Sequence, residues 1–229
     1  MRRALLPLLL SVAAAACLDS PQELVSYEAI AVPSGSNART NGNWTVSLTR
    51  ADVALGPFYF CAAASGSSTL CESSIAELRT VTVVDALATS PVALGRVDGF
   101  TGVIKSAAYD YGISWFDTMT APTPRHSMHF EGVATNRDAQ ITFTGDIDIV
   151  PQFQGQNAIP TAPVDANVTT RTKRLEVHLD PARWFAQVDF EALKQAGQTT
   201  LTIAPGTLEH NQLLVGIKNL SPPELRWVE

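Results

Sequence analysis

Apolar and polar residues exchange places at every second position through much of this chain, the period of a strand with one buried face. Trp44, Val46 and Leu48 alternate with Thr45, Ser47 and Thr49, and Val53 and Leu55 carry the pattern on until Gly56-Pro57 interrupts it before Phe58 to Phe60. Met128, Phe130 and Gly132 oppose Ser127, His129 and Glu131. After a turn at 135–139 the chain returns with Ile141, Phe143, Gly145, Ile147 and Ile149 set against Thr142, Thr144, Asp146 and Asp148. That pair of segments predicts a hairpin with one core face and one wet face. Leu175, Val177 and Leu179 mark another strand, and residues 23–32, 80–87, 199–205, 211–218 and 223–229 read the same way. Residues 95–116 hold two strands with glycine hinges.

Other segments lack this period. Residues 33–43 read as a polar loop that does not pack, and 151–169 as a proline- and glycine-containing connection too polar to be central. Residues 72–79 suit one or two helical turns. Asp180-Pro181 predicts an N-cap for a short helix at 181–185, because an Asp side chain accepts free amides of the first turn and proline has no amide to waste there. A longer helix is expected at 188–197, burying Val188 or Phe190 with Leu193 and ending at Gly197. Strands about every ten residues, joined by connections of Greek-key length, predict an all-β, mainly antiparallel fold. The expected architecture is a two-sheet β-sandwich with one or two short helices.

The first residues break the pattern altogether. Arg2 and Arg3 precede an uncharged apolar run from Ala4 to Ala16 that ends in small residues, the make-up of an export signal. The run falls short of the ~20 apolar residues of a membrane-spanning helix, and Asp19, Pro21 and Glu23 follow at once. Cys17 stands immediately after Ala14, Ala15 and Ala16, and the arrangement resembles the lipobox of bacterial lipoproteins. Ala14 occupies a position where that family prefers Leu, so cleavage by the ordinary signal peptidase is the alternative. The resemblance implies that the Cys17 thiol is acylated and becomes the new N-terminus. Leu18 stands where the inner-membrane retention signal places Asp, which implies transit to the outer membrane, with the periplasmic or the surface side left open. Residues 44–60 and 179–190 resemble segments of secreted, uncharacterised envelope lipoproteins of Gram-negative bacteria, a likeness that carries a fold expectation and no activity. The expected organisation is a signal peptide at 1–16, a lipidated tether at 17–23 and a single β-sandwich domain at 24–229.

Three cysteines in an exported chain leave one over, and acylation of Cys17 leaves Cys61 and Cys71 as a disulfide pair. Their spacing is wider than that of a C-x-x-C redox motif, so the expected role is structural.

Charge narrows the partners. Of 16 Lys and Arg, two leave with the leader, so the remainder carries 14 against 22 Asp and Glu, a net charge of −8. Nucleic acid is excluded as a partner on that ground, the cluster Arg171 to Arg174 being a single solvated strand entrance. The expected partners are the membrane, through the N-terminal lipid, and an envelope protein or small-molecule ligand.

Few residues suggest chemistry. His126, Met128 and His129 are candidate copper ligands, since imidazole and thioether suit that metal. In a regular strand, however, His126 and Met128 share one face and His129 takes the other, so one ion needs a bulge there. His178 and His210, the latter in a turn, are distant in sequence. Asp146 and Asp148, with Glu131 across the hairpin, suit calcium or a carboxylate pair, although the plainer role is to keep a sheet face soluble. Tyr109, Tyr111, Ile113 and Trp115 share one face, as core or as a binding platform. No nucleophile elbow, zinc-protease motif or phosphate loop is present. The expected function is therefore a non-catalytic, outer-membrane-anchored lipoprotein with a binding or structural role and no cofactor. The alternatives are a copper-handling domain and a hydrolase whose site is assembled from dispersed residues.

Overall fold

Fourteen of the segments in the described chain pair as strands, and they form two mixed sheets. The computed structural model describes residues 22–64, 74–112, 126–151 and 158–229. The larger sheet is built from β1 (Leu24–Pro33), β4 (Phe58–Cys61), β5 (Ser74–Leu78), β7 (Val92–Phe100), β8 (Gly102–Tyr109), β11 (Ala162–Val168), β12 (Arg174–Leu179) and β14 (Glu224–Val228). Their order across it is β11-β8-β4-β5-β7-β1-β12-β14. The smaller sheet runs β13 (Thr200–Ile203), β10 (Gln140–Ile147), β9 (Met128–Thr135), β3 (Trp44–Leu55), β2 (Ala38–Asn41), with β6 (Thr82–Asp85) also paired to β3. Most pairings are antiparallel, as expected of an all-β sandwich; β1 with β12 and β10 with β13 are parallel.

The alternation of apolar residues places the core between the sheets. Leu48, Val53, Phe130, Ile141 and Ile147 of the smaller sheet and Phe58, Phe60, Val97, Ile104, Leu175 and Val177 of the larger one are all at most 1% exposed. The aromatic rings touch in a continuous chain. Trp44 meets Phe190, which meets Phe143, then Phe185, Phe130 and Trp184. From Trp184 the contacts pass through Tyr111, Tyr109 and Phe58 to Phe60 and Trp227. Such pairs add about 0.5–1.5 kcal/mol each beyond the area they bury. Tyr109 and Tyr111 are thus core; Ile113 and Trp115 lie outside the described residues.

The helical segments close one end of the core. A 3-10 helix at Pro181–Gln187 buries Trp184 and Phe185. Asp180 precedes it without capping it; the carboxylate faces Arg39 at 3.7 Å and Arg183 at 3.9 Å instead. Helix α1 (Phe190–Gln195) is capped by Asp189, whose side chain accepts from the Ala192 amide at 3.0 Å, and it buries Phe190 and Leu193. Helix α2 (Leu208–Val215) continues into a π-helical turn at Gly216–Leu220.

Four segments depart from the sequence reading, one of them the connection at 151–169, in which Ala162–Val168 pair with β8 as the edge strand β11. Residues 211–218 are helical, because Thr207 caps the chain by accepting from the His210 amide, and the buried set His210, Leu213 and Ile217 follows a helical period. Ser74–Leu78 is strand β5, since Ile75, Ala76 and Leu78 complete the sheet between β4 and β7. The polar segment 33–43 holds β2, an exposed edge strand joined to β3 by a two-residue turn in which Gly42 takes a φ of 58°.

Among the described residues no helix is long and apolar enough to cross a membrane.

Candidate functional site

The smaller sheet turns its polar face to solvent at β3, β9 and β10, and one row of that face carries the densest cluster of ionisable groups. Registry sets the row: His129 of β9 lies opposite Asp52 of β3 on one side and Asp146 of β10 on the other. Two irregularities bring further residues to it. In β3 the register shifts between Leu48 and Arg50, which changes the phase of the alternation, so that Leu48 and Ala51 both face the core and Arg50 and Asp52 face out. Before β9, Ser127 and Met128 are buried in succession. Ser127 is held inward because its carbonyl accepts from the Ala54 amide at 2.9 Å and its hydroxyl from the Ile149 amide at 3.0 Å. The two-residue alternation fails there, and His126 emerges on the same face as His129.

The contacts are short and charge-assisted. His126 Nδ1 lies 3.0 Å from Asp148 Oδ1, and its Nε2 is 3.9 Å from Asp146 Oδ2. His129 Nδ1 lies 2.7 Å from Asp146 Oδ1, and its Nε2 is 3.1 Å from Glu131 Oε1. Arg50 donates to Asp52 at 2.8 Å and reaches Glu131 at 3.5 Å. Partial burial opposes the charge on His129, but the hydrogen bonds its ring donates to Glu131 and Asp146 outweigh it and hold the imidazole pKa above its ordinary value. Glu131 is correspondingly held below the usual carboxylate range, chiefly by its hydrogen bond to His129.

The expected ligand trio is therefore split. His126 and His129 come together with Asp146 between them, because the buried Ser127 shifts the phase before β9 by one residue, whereas Met128 is 1% exposed and packs in the core in regular alternation with Phe130. Asp146, Asp148 and Glu131, read from the sequence as solubilising carboxylates, are the partners of the two histidines. His178 bonds Glu176 on the larger sheet at 3.1 Å, and His210 is buried in α2 with both ring nitrogens unpartnered. Neither joins the cluster. Among the described residues no group of three or more His, Cys, Asp or Glu is spaced to hold a metal ion as it stands. Each ring nitrogen of His129 is occupied by a carboxylate, so a metal would have to displace a proton. What the arrangement offers in this state is a bed of carboxylates whose charge two imidazoles adjust.

Two further features went unread in the sequence. Asp110, 3% exposed, follows β8 where its backbone bonds Gly56 and Pro57. Burial pushes its carboxyl up to about 7, partly offset by a backbone hydrogen bond from Ala158, and Oδ1 has no partner. Nothing in a lone Asp between two tyrosines signals this. A groove of about 740 Å³ lies between the edge strands β11 and β14, lined by Val164, Leu225 and Trp227 among others.

Cys17 and Cys71 lie outside the described residues, and Cys61 ends β4, 2% exposed.

No family model and no curated protein matches the chain. Among solved structures, MbnP from Methylosinus trichosporium is similar over 72% of this chain and 78% of its own, with 14% sequence identity and a TM-score of 0.31.

Proposed function

We propose that this protein is an exported, lipid-anchored and non-catalytic β-sandwich lipoprotein of a Gram-negative outer membrane, binding its ligand on the face that carries His126, His129, Asp146 and Asp148. The observation that carries the binding site is the convergence of both histidines on Asp146 at a solvent-facing sheet surface. The resemblance of residues 1–16 to an export signal, with Cys17 directly after it, supports the anchor. Cys61 is a bonded sulfur and not a titrating thiol, which supports its pairing with Cys71. Three of the four histidines bond carboxylates in the described chain, an arrangement suited to holding charge. Mass spectrometry of the mature protein from its native host tests the anchor: the expected product begins at an acylated Cys17, and one beginning elsewhere without lipid overturns it.

A second reading is favoured by the same geometry. With His126 and His129 on one face, loss of the bridging proton leaves two imidazoles and a carboxylate for a copper ion, since imidazole is a good copper ligand and binding releases protons. Titration of the full chain with Cu(II) and Zn(II) at pH 7.5 and above tests it. His126→Ala is expected to abolish stoichiometric copper, and Asp146→Asn to weaken it by about tenfold or more. Absence of stoichiometric metal in the unaltered protein ends the copper reading and leaves the anchored binding domain standing.

A further inference from the structure

Leu24 of β1 and Phe100 of β7 are direct cross-strand partners at one end of the larger sheet. Both face solvent, Leu24 with 79% and Phe100 with 42% of its surface exposed. Val103, 46% exposed, follows just past Thr101 and Gly102. Further along the same outer face the β1–β7 pairs are polar: Ser26 with Asp98, then Glu28 with Arg96. The exposed apolar side chains of this face are thus gathered at the rim, separated by these polar pairs from half-buried Ile30 farther along β1.

The chain enters the domain at this rim. The Glu23 amide donates to Thr101 Oγ1 at 3.0 Å, and the Thr101 amide donates to the Glu23 carbonyl at 2.8 Å. The turn after β11 belongs to the same end, because Val168 pairs with Gly102 and is followed by exposed Arg171, whose guanidinium also meets Glu229 at 3.1 Å, and by exposed Lys173. Cys17 precedes Gln22 by five residues. At no more than about 3.6 Å per residue, its backbone lies within roughly 18 Å of Gln22 in any conformation.

We propose that this rim seats on the phospholipid surface, with Leu24, Phe100 and Val103 entering the interfacial region and Arg171 and Lys173 meeting lipid phosphates. The inference rests on acylation of Cys17, which brings the bilayer within covalent reach of the patch and makes contact an intramolecular event. Three side chains are far short of the ~800 Å² per partner of a stable protein interface, yet a tethered domain needs little area to choose an orientation. Seating also orients the candidate binding face. Gly102 begins β8, and at the other end of that strand Asp110 bonds Gly56, two residues from the Ala54 amide that holds Ser127 beside His126. Eight residues of strand place the histidine cluster about 25 Å farther from the lipid than the rim.

Photocrosslinking of the full acylated chain in vesicles of phosphatidylethanolamine and phosphatidylglycerol tests this. Phe100→benzoylphenylalanine exchanges one exposed aromatic for another. Val83→benzoylphenylalanine, on β6 opposite Ala54, is the control at the far end. The expected result is a phospholipid adduct at position 100 and none at 83. An acylated protein that gives no lipid adduct at 100, equal adducts at both positions, or a protein–protein adduct at 100 overturns the seating and leaves the anchor intact. An intact mass without acyl chains overturns the anchor, and the seating with it.

Discussion

The Trp227 indole N–H donates to the Tyr27 hydroxyl at 3.0 Å, joining the last strand to the first across 200 residues of sequence. Tyr27 is 2% exposed, and burial pushes its hydroxyl up to about 12 although the indole works the other way. Trp227 also sets its ring edge-on to Phe60 at 5.3 Å. Trp227→Phe keeps a ring there and removes the donor, so it is expected to cost about 1 kcal/mol. Trp227→Ala removes the ring as well and is expected to cost about 3 kcal/mol. Urea unfolding of the two variants separates the hydrogen bond from the packing.

Asp110 makes stability depend on pH in the unusual direction for a carboxylate. Its folded value, about 7, lies above the ordinary 3.8, so the folded chain holds the proton more tightly. Its contribution is fully present below about pH 4 and is lost as pH rises to about 7, roughly 4 kcal/mol in all at 1.4 kcal/mol per unit. Asp110→Asn is expected to abolish this decline. Unfolding free energies at pH 4, 6 and 8 check it, and an unchanged slope in the variant refutes the assignment.

His129 acts over a higher window. Its pKa is raised in the fold, so its ion pairs contribute fully below about pH 6.5 and fade as pH climbs through the raised value. Solvent screens a partly exposed pair, so His129→Ala is expected to cost no more than about 1 kcal/mol at pH 5. The difference from the unaltered protein is expected to narrow by pH 9. The titration of the His129 ring followed by NMR reports the direction of the shift independently.

Gly216 sits where α2 meets the 3-10 helix. A Cβ there would collide with the Trp184 carbonyl oxygen, a backbone atom that cannot swing aside. Gly216→Ala is expected to cost about 3 kcal/mol by forcing the two helical segments apart. Thermal denaturation with near-UV circular dichroism of the Trp184 environment measures both the loss and its location.

The hairpin β9–β10 was legible because a sheet with one wet face writes its geometry into every second residue. Phe130, Ile141, Phe143 and Ile147 are buried as their positions require. Residues 211–218 look like strand in the sequence because a short apolar run conceals the helical period of His210, Leu213 and Ile217, and the deciding cap, Thr207, lies outside that run. The candidate site was half legible. Asp146, Asp148 and Glu131 share a face by simple alternation, but the meeting of His126 with His129 depends on Ser127 being drawn inward by Ala54 and Ile149. Those partners are distant in sequence, and no local pattern announces them. Asp110 was illegible for the same reason: its burial follows from pairing with Gly56 and Pro57, and a polar residue between two aromatic ones carries no mark of depth.

Strand β1 lies inside the larger sheet, hydrogen-bonded to β7 on one side and in parallel to β12 on the other. Its second neighbour is not complete until residue 179 has been delivered. A chain threaded N-terminus first therefore cannot build this sheet strand by strand. Some 150 residues must wait together before the middle of the sheet closes, and with so many distant pairings, assembly is slow compared with that of a helical bundle of similar size.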